Sequence, residues 1–588
     1  MPAEDPANEV LRRVFGYDSF RGFQQEVIDH VTAGGDALVL MPTGGGKSLC
    51  YQIPALLRKG TGVVVSPLIA LMQDQVDALR ALGVRAGFLN SSQDPDERRL
   101  VEAEFLTDQL DLLYLAPERL RAESTLRLLD RGTISLFAID EAHCATATKA
   151  TRAEIAQRLN LTGARHFVSS FDRPNIQYRI VPKNEPRRQL LGLIRTEHPG
   201  DAGIVYCLSR ASVEATAEFL MRSGIDALPY HAGLDSATRR ANQARFLRED
   251  GLIMVATIAF GMGIDKPDVR FIAHLDLPRS VEGYYQETGR AGRDGQPSTA
   301  WMAYGLADVV LLRKLIDTSE GDLAHRRRQA SHLDAMLALC ETIECRRAQM
   351  LGYFGEQAGE CGNCDTCLTP PKAWDGTLAA QKLLSAVVRL KRERGQKFGA
   401  GQVIDILLGK QTDKVGQNRH DSLSVFGVGK DLTDTQWRAV VRQLLAQGVL
   451  AVEGDYGTLL CTPAGDEVLY RGRQIRLRDD PPRAVQARPA KTRATRAGTA
   501  AAGAADLTEA AAAVFGELRA WRAAAAKEQG VPAYVIFHDA TLRQIAAEAP
   551  STLAELATVS GVGENKLAKY GQQILDLLAS LPAAGSRP

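Results

Sequence analysis

The chain has 588 residues, with 71 Lys and Arg against 70 Asp and Glu, and this near-neutral total names no partner because local basic patches can hide inside a balanced sum. Its length favours several domains, no uninterrupted apolar run is long enough to cross a membrane, and Met1 to Asp5 lacks the charged-then-apolar pattern of a secretion signal, so the cytoplasm is the expected compartment. Of nine cysteines, Cys345, Cys361, Cys364 and Cys367 cluster while the others scatter, which argues for one metal site rather than a disulfide framework.

Near the N-terminus, aromatic residues, Arg21 and Gln24 precede an amphipathic stretch in Phe15 to Gln24. The Gln24 amide both donates and accepts, so it suits the two edges of an adenine. A helix capped by Asp18 or Ser19 accounts for the same residues without a ligand.

The apolar run Leu38 to Met41 reads as a buried strand that stops at Pro42, and Thr43, Gly44, Gly45 and Gly46 then lead into Lys47 and Ser48. Glycines let successive N–H groups converge on an anion, and the helix beginning near Cys50 points its positive end at the same place. In such a cradle Lys47 neutralises the outer phosphates of a nucleotide and Ser48 holds magnesium. Met41 stands where the general pattern has its first glycine, so the match is partial.

Gly62 to Leu68 and Leu112 to Leu120 each read as a strand followed by a polar loop and a helix, the signature of a doubly wound parallel sheet. Leu136 to Ile139 is a further strand, ending in Asp140, Glu141, Ala142 and His143. Asp140 is placed to hold magnesium and Glu141 to orient or deprotonate an attacking water.

Taken together, Phe20-Arg21, Gln24, Met41 to Ser48, Ser66 to Leu71, Ala116 to Leu120 and Asp140 to Cys144 resemble the RecQ DNA helicases of superfamily 2. That resemblance extends to the C-terminus. It implies an α/β fold of two RecA-like parallel-sheet motor domains, then a zinc-binding module, a winged helix and a small helical HRDC domain. It also implies an ATP-dependent DNA helicase moving 3′ to 5′ in recombination and repair, with His143 and Asp265 joining the ATP site. Its expected partners are single-stranded and forked duplex DNA and a single-strand-binding protein, and its expected state is a monomer in the bacterial nucleoid region.

The departure from the family follows Cys144. The family continues into an aromatic-rich loop, a helix and a further strand before a Thr-Ala-Thr motif, whereas here Ala145 to Lys149 follows at once. A crossover between parallel strands needs at least about 10–12 residues. In related ATPase sheets the absent strand lies between the cradle strand and the Asp140 strand, so the sheet either closes by rearrangement or is damaged. The alternative function is a DNA-binding RecQ-like protein with impaired ATPase and unwinding.

Ser169 to Ile176 is a polar crossing segment, after which Gly203 to Cys207 and Ile253 to Thr257 read as strands and Glu214 to Met221 as a helix, giving a second parallel sheet. Arg290 and Arg293 are spaced to share one helical face, where a basic pair is usually solvated; the resemblance makes them the arginines that reach across the cleft to a transferred phosphoryl group. Four thiolates at Cys345, Cys361, Cys364 and Cys367 suit a closed tetrahedral zinc shell, and Arg326 to Arg328 on the preceding helix either touch phosphates or face water.

Ala379 to Leu390, Val403 to Leu408 and Trp437 to Gln447 read as helices and Val449 to Leu460 as a hairpin, the order of a winged helix, with Tyr456 at the turn either a base-stacking wedge or incidental. A basic stretch poor in apolar residues then reads as a linker before helices ending in Ser560 to Leu567, where the Gly561 and Gly563 turn either presents N–H groups to a phosphate or simply joins two helices. The expected units are a first motor domain at 1–170, a second at 171–318, a zinc module at 319–372, a winged helix at 373–475, a linker at 476–506 and HRDC at 507–582.

Overall fold

A computed structural model describes residues 5–41, 45–67, 69–90, 93–140, 157, 159, 161, 163–258, 260, 266–319, 321–453, 457–479, 507–529 and 531–581. The first motor domain supplies β1 (Ala37–Leu40), β2 (Thr61–Val65), β3 (Ala86–Leu89), β4 (Leu112–Leu115), β5 (Ile134–Ile139) and β6 (Arg165–Val168). Every residue of β2 and β4 is buried, as expected for parallel strands covered on both faces, and this explains their unbroken apolar runs.

These strands do not form one sheet. β3, β4, β2 and β5 lie side by side in that order, all parallel, while among the described residues β1 pairs only with β6. Among the described residues no strand joins β1 to β5, which is where the family's additional strand was expected. Of the two alternatives, closure by rearrangement or a damaged sheet, the described residues show no closing strand; the shortened stretch after Cys144 lies outside them. The apolar side chains of β5 register the gap, since Phe137 is 58% exposed and Ile139 52% exposed. The β1–β6 pair instead has a small core of its own, built from Val27, Met41, Cys50 and Phe167.

The second motor domain contrasts with the first. β7 (Ile176–Pro182), β8 (Ala202–Tyr206), β9 (Ala227–Tyr230), β10 (Ile253–Ala256), β11 (Val269–His274) and β12 (Ser298–Tyr304) form one parallel sheet in the order β7-β12-β11-β8-β10-β9. Its core continues without a break into the cysteine module and the winged helix, from Tyr284 and Met302 through Leu337 and Phe354 to Leu383 and Trp437.

The winged helix contains the helices Thr377–Arg394, Ala400–Leu408 and Asp434–Ala446 and the hairpin β14 (Leu450–Glu453) and β15 (Thr458–Cys461). Preceding them, β13 (Ala373–Asp375) pairs antiparallel with β16 (Arg476–Arg478). This corrects the linker boundary: Arg476 to Arg478 belong to the winged helix, held there by the ladder and by the Gln443 amide, whose oxygen accepts from Arg478 N–H at 2.6 Å. Tyr456 lies outside the described residues. The C-terminal module has its own core, including Leu518, Phe537, Leu542, Ile545 and Ile574.

Candidate nucleotide site and metal centre

β1 and β5 are parallel strands whose carboxyl ends carry the two candidate nucleotide motifs. After β1, Gly46 takes a left-handed φ of +76°, which favours glycine, and a Cβ there would lie 2.3 Å from Gln24 Nε2 and displace that amide. The helix Leu49–Leu57 starts immediately beyond, with Cys50 N–H donating to Lys47 O at 3.0 Å and Gln52 N–H to Ser48 O at 2.9 Å. Lys47 is half-buried and makes no ion pair among the described residues. Its ammonium is therefore not neutralised by a described acid, as a phosphate-binding lysine requires.

Gln24 is buried and already engaged. Its Nε2 donates to Gly45 O at 3.2 Å and Gly46 O at 3.1 Å, while its Oε1 accepts from Arg21 N–H at 2.8 Å. Its amide therefore ties the cradle to the Phe20-Arg21 turn. Capping by Asp18 or Ser19 is not found, because the helix Gln24–Thr32 begins after Phe23 with no side-chain cap. Phe20 packs against the core around Phe15 and Ile28, and Met41 is buried beside Val27 and Phe167, so the Met41 side chain serves packing.

Asp140 closes β5 by donating its N–H to Val65 O at 2.9 Å. Tyr51, on the helix after the cradle, donates its hydroxyl to Gln75 Oε1 at 3.1 Å and lies 3.5 Å from Tyr114 Oη. Burial first, then the neighbouring Tyr114 and the Asp140 charge, hold the Tyr51 phenol well above its ordinary pKa, while a hydrogen bond with Ser48 works the other way. Ser48 and Asp140, the two candidate magnesium ligands, thus act on one tyrosine. Sequence reasoning passed over Tyr51 and Tyr114; the available signal was a tyrosine three residues into the helix after Ser48. Pro42, Thr43, Gly44, Glu141, His143 and Asp265 lie outside the described residues.

The arginine pair is not on a helical face. The helix Val281–Thr288 ends before Gly289, and Arg290 and Arg293 occupy the following turn, broken from the helix by Gly289 and by Gly292 at φ +55°. Arg290 faces Tyr206, whose phenol burial nevertheless pushes up to about 12. The turn is clamped by two residues of the crossing segment. Arg173 donates to Gly289 O at 3.0 Å, Ala291 O at 2.8 Å and Gly292 O at 3.0 Å, and Asn175 donates to Gly292 O at 2.8 Å and Gln296 O at 2.9 Å. Arg173 is buried, and desolvation lowers its pKa. Sequence reasoning missed this positioning role, because the contacts join residues more than a hundred positions apart.

Cys345, Cys361, Cys364 and Cys367 converge, with their sulfurs all within 4.8 Å of one another. Cys361 and Cys367 sulfurs lie 3.9 Å apart, as do those of Cys345 and Cys364. A tetrahedron of sulfurs about 2.3 Å from zinc has edges of about 3.8 Å, so the set fits this ion. Backbone N–H groups of Ala348 and Cys361 point at Cys345 Sγ at 3.4 Å. Burial would raise the Cys364 thiol, but the Thr366 hydroxyl and nearby N–H groups outweigh it and bring it down to about 6. The Arg346–Asp365 ion pair at 2.6 Å braces the knuckle.

Comparison with known proteins agrees with this order of parts. The DEAD/DEAH box helicase family matches residues 21–173 and the helicase conserved C-terminal domain 185–295. The RecQ zinc-binding family matches 306–368, the RQC domain 370–485 and the HRDC domain 511–578. An ATP-dependent DNA helicase RecQ of Pasteurella multocida is 40% identical over 616 residues, covering 98% of this chain and 94% of its own. The Haemophilus influenzae protein of that name is 40% identical (97% and 95% covered), and the Bacillus subtilis one 34% (97% and 98%). Nothing in these likenesses favours the impaired alternative, and no helix among the described residues is long and apolar enough to cross a membrane. With this identity sustained from end to end, the chain belongs to the RecQ family of ATP-dependent DNA helicases.

Proposed function

We propose that the chain binds ATP between its two motor domains and uses hydrolysis to unwind DNA 3′ to 5′, the polarity being that of the family. The observation that carries this reading is the cradle itself: the parallel strand β1 leads through the left-handed Gly46 into the N-terminus of the helix Leu49–Leu57, at the carboxyl end of the strand, where open α/β sheets bind their ligands. Lys47 and the glycines to Gly46 hold the phosphates, with Pro42, Thr43 and Gly44 completing the loop. Ser48 and Asp140 are the residues that would hold magnesium, which supplies charge neutralisation at the phosphates. Glu141 and His143 act on the attacking water, Gln24 holds the cradle to the Phe20-Arg21 turn on the side of the base, and Asp265 joins the site from the second domain.

Arg290 and Arg293, held in their turn by Arg173 and Asn175, stabilise charge developing on the transferred phosphoryl group when the cleft closes. Cys345, Cys361, Cys364 and Cys367 hold a structural zinc, a closed four-sulfur shell having no open position for chemistry. Single-stranded DNA crosses both motor domains through its phosphates, and a forked duplex meets the winged helix. The domain limits proposed are 1–170, 171–318, 319–372, 373–479, 480–506 and 507–582. A monomer acting in the bacterial nucleoid, with a single-strand-binding protein as partner, completes the reading.

The test is Lys47→Ala. It should abolish ATP hydrolysis and leave nucleotide-free DNA affinity largely in place, because DNA is held by many basic groups whose loss is incremental. Loss of DNA binding by this variant in the absence of nucleotide would contradict the assignment.

A further inference from the structure

The crossing segment between the motor domains passes from one body to the other within a single residue. Ser169 belongs to the first domain, since its N–H donates to Leu40 O at 2.8 Å, and Leu40 is the last residue of the strand that feeds the cradle. Ser170 and Phe171 belong to the other body. Glu356 of the cysteine module accepts from Ser170 Oγ at 2.7 Å through one carboxylate oxygen and from Phe171 N–H at 2.6 Å through the other. The Phe171 carbonyl accepts from Tyr285 Oη at 2.8 Å, and its buried ring packs on Tyr285 and Phe354, with centroids 6.0 Å and 5.2 Å away. Two residues further on, Arg173 clamps the turn that carries Arg290 and Arg293.

Glu356 is placed by the end of a helix that starts on a cysteine of the four-sulfur set. The helix Arg346–Tyr353 has Cys345 at its N-cap. It stops in the paired bonds of a left-handed glycine cap: Gly355 N–H donates to Gly352 O and Glu356 N–H to Leu351 O, both at 3.0 Å, with Gly355 at φ +86°. This cap fixes the Glu356 backbone one residue beyond the turn. The same helix holds the crossing segment a second time through Arg347, which donates to Pro174 O at 3.2 Å and Ile176 O at 2.7 Å. Ser169 thus stays with one body and the stretch from Ser170 to Ile176 with the other, and the Ser169–Ser170 peptide lies between them.

We propose that Glu356 is a positioning residue for ATP hydrolysis: it pins Ser170 and Phe171 so that the motor domains pivot at the Ser169–Ser170 peptide while Arg173 keeps its grip on the arginine turn. Hinges are a few residues whose φ and ψ absorb a domain rotation. A planar peptide offers only the torsions on either side of it, so a pivot this short makes closure a rotation about a fixed point beside the cradle. With Ser170 and Phe171 released, the pivot would spread along the segment toward Arg173, and the turn would reach the phosphates less precisely. Displacement by about 1 Å can cost on the order of 10²-fold in rate. Glu356 acts through the segment rather than on the nucleotide, so its effect falls on the chemical step and not on ATP affinity. The inference rests on the assignment of Arg290 and Arg293 to the transferred phosphoryl group.

The test uses the full, zinc-loaded chain. Glu356→Ala should lower kcat for ATP hydrolysis about 10-fold, leave KM for ATP and the zinc content unchanged, and speed hydrogen exchange across residues 170–173. Glu356→Gln should stay near the unsubstituted rate, because its amide oxygen still accepts from Phe171 N–H and its NH2 donates to Ser170 Oγ. Paired with Arg173→Ala, Glu356→Ala should add little, as expected of residues that act along one path. Ser170→Ala leaves the cysteine module untouched and should give a smaller fall of the same kind, which keeps the test decisive if Glu356→Ala folds poorly. An unchanged kcat in either folded variant, a change confined to KM, a Gln variant as slow as the Ala variant, or losses that multiply with Arg173→Ala would overturn the role of Glu356. If Arg173→Ala itself leaves kcat unchanged, the arginine turn lies outside the site and the underlying assignment fails with the inference; a fall in Arg173→Ala with none in Glu356→Ala sinks the inference alone.

Discussion

Ile139 of β5 lies in register beside Val65 of β2, yet its other side has no strand beside it among the described residues and its side chain is largely exposed. A parallel strand in an α/β sheet is normally covered on both faces. Phe137 and Ile139, 58% and 52% exposed, each forgo about half of the roughly 1.5–3 kcal/mol that full burial would give. The first motor domain should therefore unfold before the rest of the molecule. Denaturant unfolding followed by hydrogen exchange is expected to give two steps, with β1 to β6 losing protection first. Inserting a strand and covering helix after Cys144 should raise the first midpoint and leave the second in place; a single cooperative transition, or an insertion with no effect in a folded protein, would contradict this.

Arg173→Ala should loosen the turn that carries Arg290 and Arg293 without touching nucleotide. Three carbonyls lose a charged donor, and displacement of a catalytic group by about 1 Å can cost on the order of 10²-fold. The expected outcome is a fall of roughly 10- to 100-fold in kcat with KM for ATP little changed. A change confined to KM would place Arg173 in ground-state binding instead.

Gly46→Ala should be far more damaging than its one added methyl suggests. The Cβ would push Gln24 Nε2 off the Gly45 and Gly46 carbonyls it holds and the positive φ would be strained, so the cradle loses its tie to the Phe20-Arg21 turn. ATP binding measured by calorimetry should be lost while the zinc module and winged helix keep their thermal transition. Retained ATP affinity would show that the cradle is not the nucleotide site.

Zinc removal should unfold the cysteine module rather than merely slow turnover, because binding energy at a closed thiolate site is folding energy. Because Cys345, Cys364 and Phe354 share the core that runs into the winged helix, the loss should spread to that domain. Metal analysis should find one zinc per chain, and Cys364→Ala should lose it. An intact fold with no zinc would refute the assignment.

Much of this was legible in the sequence for a physical reason. β2, β4, β8 and β10 are buried on both faces, so their apolar runs are continuous, and the cysteine spacing closes a tetrahedron from one short segment. The less legible features depend on long-range contacts. Spacing alone put Arg290 and Arg293 on a helix, but Gly289 and Gly292 end it, and Arg173, far back in the chain, fixes the turn that results. Gln24 looked like a base reader or a bystander to a cap, and its bonds to Gly45 and Gly46 required the cradle to fold back beside it. The short segment after Cys144 left open whether the sheet closes by rearrangement or is damaged, and the described residues leave β1 and β5 unjoined, whereas Asn565 meeting Leu82 had no sequence signal at all.

The most direct measurement is steady-state ATP hydrolysis by the intact chain, with and without single-stranded DNA, beside the Lys47→Ala variant. An ATP-driven DNA helicase built on the Gly46–Ser48 cradle and Asp140 should hydrolyse ATP, do so faster with DNA, and lose both rates with Lys47. Hydrolysis that is absent in the folded, zinc-loaded protein, or that persists undiminished without Lys47, would contradict the account.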